Sequence, residues 1–518
     1  MHLYAPKTET MTVLFLLLSP LLIFLLFHFI ARHRHKTTSV NRKLPLPPVP
    51  PSLPLIGHLH RFGRVPHRSL QSLSSKHGPI LLLHLGRIPT VILSSASVVQ
   101  EAIHLHDLAL SNRPHLISAD ILTYGSSSVL LTQYGEHWRQ ARRIYALHML
   151  SVKQVESFRQ VRQEEVASFI ERIKLDGSAG EKPVHFSKLL VDLTNDIACR
   201  VTFGHRQPLE GGSSIGKLVE EVSELLLIVR IGEFIPWLSW IDQLRGIDKR
   251  AKVTADMLDQ FLERVIEQHL KKRINSHENE KIGAPNFIDM LLDLKENDRE
   301  LGMSLSMKNI KVFLWDMILA GTDTAFVTME WAMAELIRHP DVMKQVQQEV
   351  RSTVRTCGEL NEESVGEMKF LKAVISETLR LHPPAPILAP RETTQEIKLL
   401  GYRIPAKTRV IINAWAIGRD PDSWGDRAEN FWPERFVDNP VDYKGQDFQF
   451  IPFGVGRRGC PGINFANRVV ELTLASLLYN FDWQLPDGMR GESLDMIETA
   501  GITVHLKNKL ILVAKPFV

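Results

Sequence analysis

The chain has 518 residues, 44% hydrophobic and 23% charged, an ordinary globular balance that excludes disordered, collagen-like and low-complexity classes. Its 62 basic and 58 acidic residues leave a net charge of +4, too even to point to nucleic acid. Cys199, Cys357 and Cys460 are too few and too scattered for a disulfide framework or a CxxC zinc site, so any cysteine chemistry falls to one thiol.

Residues 11–30 carry no formal charge and are rich in Leu, Ile and Phe. As a helix they would span about 30 Å, one bilayer core. A cleaved signal peptide is the alternative, but no small-residue cleavage site follows. Arg32, Arg34, Lys36, Arg42 and Lys43 lie just after the span and Lys7 alone before it, so the body is expected on the cytosolic side. The expected divisions are a lumenal terminus at 1–10, an anchor at 11–30, a basic and proline-rich hinge at 31–56, and one catalytic body at 57–518. Pro45, Pro47, Pro48, Pro50, Pro51 and Pro54 make the hinge a stiff spacer that cannot be helix.

Ile80 to Leu85, the turn at Gly86-Arg87 and the run ending at Leu93 predict a strand–turn–strand unit. Helical periodicity dominates from about 98 to 347. Its clearest stretch runs from Met307 to Arg338, where His339-Pro340 closes it, and would be about 48 Å long. Short strands and turns follow Glu396. Residues 176–182 and 276–284 read as surface loops. Residues 211–217 half-match both a phosphate-binding loop and a nucleophile elbow, but lack the Ser or Thr after Lys217 and any apolar strand before Gly211; a polar loop is the better reading.

The most informative stretch is Pro452-Phe-Gly-Val-Gly-Arg-Arg-Gly-Cys-Pro-Gly462. Its glycines allow tight turns and close approach to something large and flat, and it presents one cysteine beside arginines, which favour the thiolate that binds iron. This Phe-x-x-Gly-x-Arg-x-Cys-x-Gly spacing resembles the haem loop of the cytochrome P450 family. Other elements agree in order: Trp138-Arg-Gln-Ala-Arg142, Ala320-Gly-Thr-Asp-Thr324, Glu377-Thr-Leu-Arg380 before Leu381-His-Pro-Pro384, Pro390-Arg391-Glu392 and Phe431-Trp-Pro-Glu-Arg-Phe436. The likeness extends to plant microsomal members of the A type, family 71 in particular, through Tyr134-Gly-Glu-His-Trp-Arg139, Ala414-Trp-Ala-Ile-Gly-Arg-Asp-Pro421 and Phe450-Ile-Pro-Phe-Gly454.

The resemblance implies a mostly α, minor β haem-thiolate fold behind one transmembrane helix. It implies haem b on Cys460 with Phe453 near the sulfur, and Trp138, Arg142, Arg391 and Arg458 around the propionates. Pro461 cannot donate to the sulfur, so amides beyond it are the candidates. Gly321 would open the long helix to the ligand, and Asp323 and Thr324 would deliver protons; the family often has Thr or Ser where Ala325 stands. Glu377, Arg380 and Arg435 would form a buried structural network, although Glu136/Arg139, Glu156/Arg159, Glu296/Arg299 and Glu335/Arg338 share the same helical spacing.

Carried over by position, substrate would meet 111–133, including Leu122, and 225–234. Phe313, Asp316 and Ala320, then Ala385, Ile387 and Leu388, and Gly501 and Ile502 at a C-terminal tip complete the wall. The implied activity is an NADPH- and O2-dependent monooxygenation of a small lipophilic plant metabolite, a terpenoid or phenolic or coumarin. Electrons would come from NADPH–cytochrome P450 reductase at the endoplasmic reticulum membrane, docking where Arg142, Arg143, Arg457 and Arg468 lie. The alternatives are a nitrogenous substrate, a reductase-independent isomerase or dehydratase (against which Asp323-Thr324 argues), and an anchored haem sensor or scaffold.

Overall fold

Ser306 starts the element around which the rest is arranged. In the computed structural model, which describes residues 44–206, 215–275, 286–296, 305–499 and 501–517, its hydroxyl accepts from the Asn309 amide while Asn309 bonds back to Ser306. This reciprocal cap starts a helix over Met307–Arg338. Pro340 cannot continue it and opens the next helix, Pro340–Cys357. The long helix is buried from Ile310 to Ile318 and again from Ala325 to Leu336; between them Thr322 stays buried while the other residues of 319–324 keep accessible surface. It packs against the helix Phe186–Phe203, and together they centre the main hydrophobic core.

Helices dominate the rest. Four strands, β1 (Ile80–Leu85), β2 (Ile88–Leu93), β7 (Arg409–Ile412) and β4 (Arg391–Glu392), form one sheet in the order β1-β2-β7-β4. β1 and β2 are an antiparallel hairpin with Ile80 opposite Leu93, and β2 pairs parallel with β7, Thr90 opposite Arg409. Alternate residues of β1 feed two separate clusters, Ile80 and Leu82 on one face and Leu81, Leu83 and Leu85 on the other. A sheet covered on both sides explains why β1 reads as a continuous apolar run. A second sheet joins β3 (Pro183–Val184), β9 (Leu512–Pro516) and β8 (Phe481–Gln484), and β5 (Ile397–Leu399) pairs with β6 (Tyr402–Ile404).

The anchor expected at 11–30, residues 31–43, the loop 276–284 and most of 211–217 lie outside the described residues. The described part of the proline-rich stretch lies against the body. The Leu82 amide donates to Pro48 O at 2.9 Å, the Arg403 amide to Pro45 O at 2.8 Å, and His58 Nε2 meets Pro50 O at 2.8 Å.

The spacing Glu335/Arg338 does not give a pair. Glu335 instead meets His382 Nε2 at 2.7 Å and His339 Nδ1 at 3.3 Å, while the His382 ring stacks on Trp331 at 4.0 Å. Burial works to raise the Glu335 pKa, but the hydrogen bonds and charges of the two imidazoles outweigh it and hold the group at about 2. A depressed carboxylate pKa stabilises the fold above the ordinary value of 4.5, and that stability is lost as pH falls toward 2. We expect the unfolding free energies of wild type and Glu335→Gln to differ above pH 4.5 and to converge by roughly 3 kcal/mol as pH falls, read by urea titration.

Candidate functional site

The thiol loop is built by glycine conformations and one carboxylate. Gly454 and Gly456 have φ of 73° and 64°, left-handed values that other residues rarely adopt. A Cβ on Gly456 would collide with the Asp107 carboxylate. That carboxylate caps the turn Gly456–Arg458 by accepting the Arg457 amide at 3.1 Å. The Cys460 amide then donates to Phe453 O at 2.8 Å, and the chain enters the helix Ile463–Asn480. The Gly462 amide donates to Cys460 Sγ at 3.3 Å, the bond that Pro461 cannot supply.

Cys460 lies deep in the fold, yet its residue surface is exposed, so it opens onto an internal cleft rather than onto the outer surface. Burial raises the thiol pKa, and the Gly462 amide and Arg142 offset this only in part. Arg457 and Arg458 neighbour Cys460 in sequence but serve other partners, and only Arg142 acts on the sulfur.

Around the cleft stand four guanidinium groups. Arg458 donates to Ser111 O at 2.7 Å, Val129 O at 3.2 Å and Thr132 O at 2.7 Å, and lies 4.6 Å over the Trp138 ring. Trp138 Nε1 donates to Val129 O at 3.2 Å as well. Arg391 donates to Val455 O at 2.5 Å and meets Asp107 at 3.4 Å. The fourth, Arg113, escaped the sequence reading. It donates to Leu130 O at 2.9 Å and to Ala389 O and Pro390 O at 2.5 and 2.8 Å. Arg142 comes from the same helix as Trp138, Glu136–Ile144, and is half-buried.

Burial lowers the pKa of all four. Arg391 and Arg458 lower that of Arg113 further, and Arg458 itself is pushed down to about 9 by burial, Arg391 and Arg142. Among the described residues Asp107 is the only carboxylate paired with the set. Cations crowded against one another with a single counter-ion fit a dianionic ligand, and the two propionates of haem meet that need.

The long helix contributes the open stretch 319–324. A Cβ on Gly321 would meet only Ala198 Cβ at 3.9 Å, so protein packing does not require glycine there. Ala320 is exposed and Gly321 half-buried inside an otherwise enclosed helix, which fits the approach of a large flat ligand. Thr324 donates to Ala320 O at 2.7 Å, a bond to its own helix. Asp323 accepts from the Thr503 hydroxyl, which ties it to the C-terminal tip.

Of the expected pocket wall, Ala320, Ala385, Ile387, Leu388, Gly501 and Ile502 keep accessible surface. Leu122 and Phe313 do not: both belong to the enclosed core, and Phe313 packs edge-on to Tyr145. Asp316 is also turned inward, accepting from the Val129 amide at 2.9 Å and from Tyr145 OH at 3.2 Å. Position along the chain was the only basis for these three, Leu122 within 111–133 and Phe313 and Asp316 on the long helix, and it does not say which face meets the cleft.

Away from the cleft, Arg380 and Glu377 form a fully buried bidentate pair at 2.7 and 2.8 Å. Glu377 also accepts from Arg435 Nε at 3.1 Å and from the Trp432 amide at 2.7 Å.

The chain matches the family model described as cytochrome P450 over residues 47–513. Cytochrome P450 71A1 of Persea americana is 48% identical over 89% of this chain and 91% of its own. Norfluorocurarine oxidase of Strychnos sp is 43% identical over 96% of each chain, and strychnine-11-hydroxylase of Strychnos nux-vomica 44% over 95% of each. A zebra fish cytochrome P450 solved with abiraterone shares the fold at a TM-score of 0.72 and 24% identity, over 88% of this chain and 100% of that one. This chain belongs to the cytochrome P450 family, haem-thiolate monooxygenases that spend NADPH-derived electrons on O2.

Proposed function

We propose that this enzyme oxidises a small, uncharged lipophilic plant metabolite, a terpenoid or a phenolic or coumarin. One observation carries this reading: the described charged side chains in the segments expected to touch substrate already have partners. Arg113 serves backbone carbonyls, His115 pairs with Asp120, and Arg230 bonds Ser118 and Asp248. Glu233 accepts the Ile117 amide, and Asp316 is turned to Val129 and Tyr145. A cationic substrate would meet no free carboxylate there, and burying it unpaired would be costly. The Strychnos relatives, named for norfluorocurarine and strychnine, keep a nitrogenous substrate as the second reading, taken as the neutral amine.

Haem on the Cys460 thiolate supplies the oxidising chemistry. Trp138, Arg142, Arg391 and Arg458 hold its carboxylates. Asp323 and Thr324 move protons, and the Asp323–Thr503 bond couples that step to the tip carrying Gly501 and Ile502. Thr324→Ala and Asp323→Asn are each expected to lower turnover about 10²-fold or more with substrate affinity unchanged, measured as NADPH-supported product formation beside the binding spectrum.

Arg143 and Arg457 are exposed and Arg468 half-exposed, so they suit an acidic reductase, whereas Arg142 faces inward to Cys460. Association with the endoplasmic reticulum membrane rests on the anchor expected at 11–30. Trp237 and Trp240, 61% and 53% exposed on Pro236–Leu238 and Ser239–Leu244, support it as a second apolar contact. The test is a panel of neutral terpenoids and phenolics beside permanently charged amines, offered to microsomes holding reductase and NADPH. Spin shifts and oxidised products are expected from the neutral set. Turnover of charged amines alone would overturn the reading.

A further inference from the structure

The loop 127–132 borders the cleft and has no strand partner, so its backbone polar groups need other partners. Backbone turns take the Ser127, Leu131 and Thr132 amides, and side chains supply partners for other groups of the loop. His137 meets Ser127 O at 3.1 Å, Arg113 takes Leu130 O, Arg458 takes Thr132 O, and Trp138 and Arg458 share Val129 O. The Val129 amide goes to Asp316 at 2.9 Å. Val129 thus carries, on one residue, a bond to the long helix and two bonds to the side chains assigned to a propionate.

Asp316 grips a second segment. Tyr145 OH lies 3.2 Å from the same Asp316 oxygen and 3.1 Å from Phe313 O. Tyr145 opens the widened turn Tyr145–Met149, which continues the helix Glu136–Ile144 that bears Trp138 and Arg142. Such single widened turns cost regular hydrogen bonding and recur at functional sites. One carboxylate oxygen therefore joins the long helix, the loop 127–132 and the helix that delivers Trp138 and Arg142 to the cradle.

We propose that Asp316 is a positioning residue for the haem cradle: through Val129 and Tyr145 it fixes Trp138, Arg142 and Arg458 in the arrangement that receives the carboxylates. It touches neither substrate nor haem in this role. Burial raises its pKa to about 6 against the hydrogen bonds from Ser128, Val129 and Tyr145 that favour the carboxylate, and a neutral amide of the same shape can replace it as acceptor for Val129. The inference rests on the assignment of Trp138, Arg142 and Arg458 to the propionates.

The test compares full-length Asp316→Leu, which removes the acceptor, with Asp316→Asn, which keeps it. A third variant, Val327→Ala, weakens the same helix in the core away from Asp316. Haem release to an excess of apomyoglobin and deuterium uptake at 127–132 are measured for each. Asp316→Leu is expected to release haem about 10-fold or more faster and to lose protection across the loop. Asp316→Asn should restore both toward wild type, and Val327→Ala, at a similar fall in thermal midpoint, should change neither. Haem release from Asp316→Leu at the wild-type rate overturns the proposal, as does equal acceleration in Val327→Ala. A wild type that holds no thiolate-ligated haem removes the underlying assignment as well, which separates the two failures.

Discussion

Replacing Cys460 with Ala is expected to abolish the thiolate-shifted Soret band of the reduced carbon monoxide complex and to bring NADPH-dependent turnover to background. The variant should still fold. Cys460 Sγ accepts a single backbone hydrogen bond at 3.3 Å, and its side chain faces the cleft rather than the core. Loss of that bond costs about 1 kcal/mol at most, a small part of a typical stability of 5–15 kcal/mol. Far-ultraviolet circular dichroism beside the difference spectrum separates the two effects. A Cys460→Ala protein that kept the band would remove Cys460 as the ligand and turn attention to Cys199 or Cys357, neither of which stands in the arginine cradle.

The opposite pattern, loss of fold rather than of chemistry, is expected from Arg380→Leu. The Arg380 guanidinium spends its donors on Glu377 and on the carbonyls of Gly418, Ala428 and Asn430, at 2.5, 2.6 and 3.0 Å for the last three. Leucine would leave the fully buried Glu377 without its principal counter-charge and those carbonyls without a donor. Breaking a buried pair in this way costs about 3–5 kcal/mol, and each buried carbonyl left without a donor costs about 1–3 kcal/mol more, which together reach the 5–15 kcal/mol that holds an ordinary domain. The observable is soluble yield with a cooperative thermal transition, and neither should survive. Arg435→Ala keeps the Arg380–Glu377 pair and removes the 3.1 Å bond to Glu377 together with part-exposed bonds to the Trp424 and Arg427 carbonyls at 3.3 and 2.6 Å, so it should cost about 1–3 kcal/mol and remain foldable. Arg380→Lys is not expected to rescue, because an ammonium cannot reproduce the planar fork that reaches both Glu377 oxygens.

What the sequence made legible was local. The boundaries of Met307–Arg338 follow from periodicity and from His339-Pro340, and the hairpin of β1 and β2 follows from an apolar run broken by Gly86-Arg87. The thiol loop was legible because its glycines and cysteine lie within eleven residues. Contacts between distant segments were not. Arg113 joins the cradle only because residues 130 and 389–390 arrive beside it in space, and no pattern around Ser111-Asn-Arg-Pro114 announces that. Asp107 was missed for the same reason, since its partners Arg391 and Arg457 lie hundreds of residues away. Helical spacing misled at Glu335, where a histidine from another element outcompetes Arg338. It also could not orient Phe313 and Asp316, because a helix enclosed on nearly all sides has no polar face to mark the cleft.

The parallel pairing of β2 with β7 bears on how the chain is made. Thr90 finds its partner at Arg409, more than 300 residues later. At ribosomal speeds of about 5–20 residues per second, the hairpin waits roughly 15–60 s with one long edge open. An apolar edge left unpaired for so long invites pairing with other nascent chains. β4, with Arg391, emerges only shortly before β7 closes the sheet, and the thiol loop later still. Prosthetic-group capture is therefore an event of released or nearly released chains, and truncated or stalled products should accumulate as aggregates with no coloured intermediate.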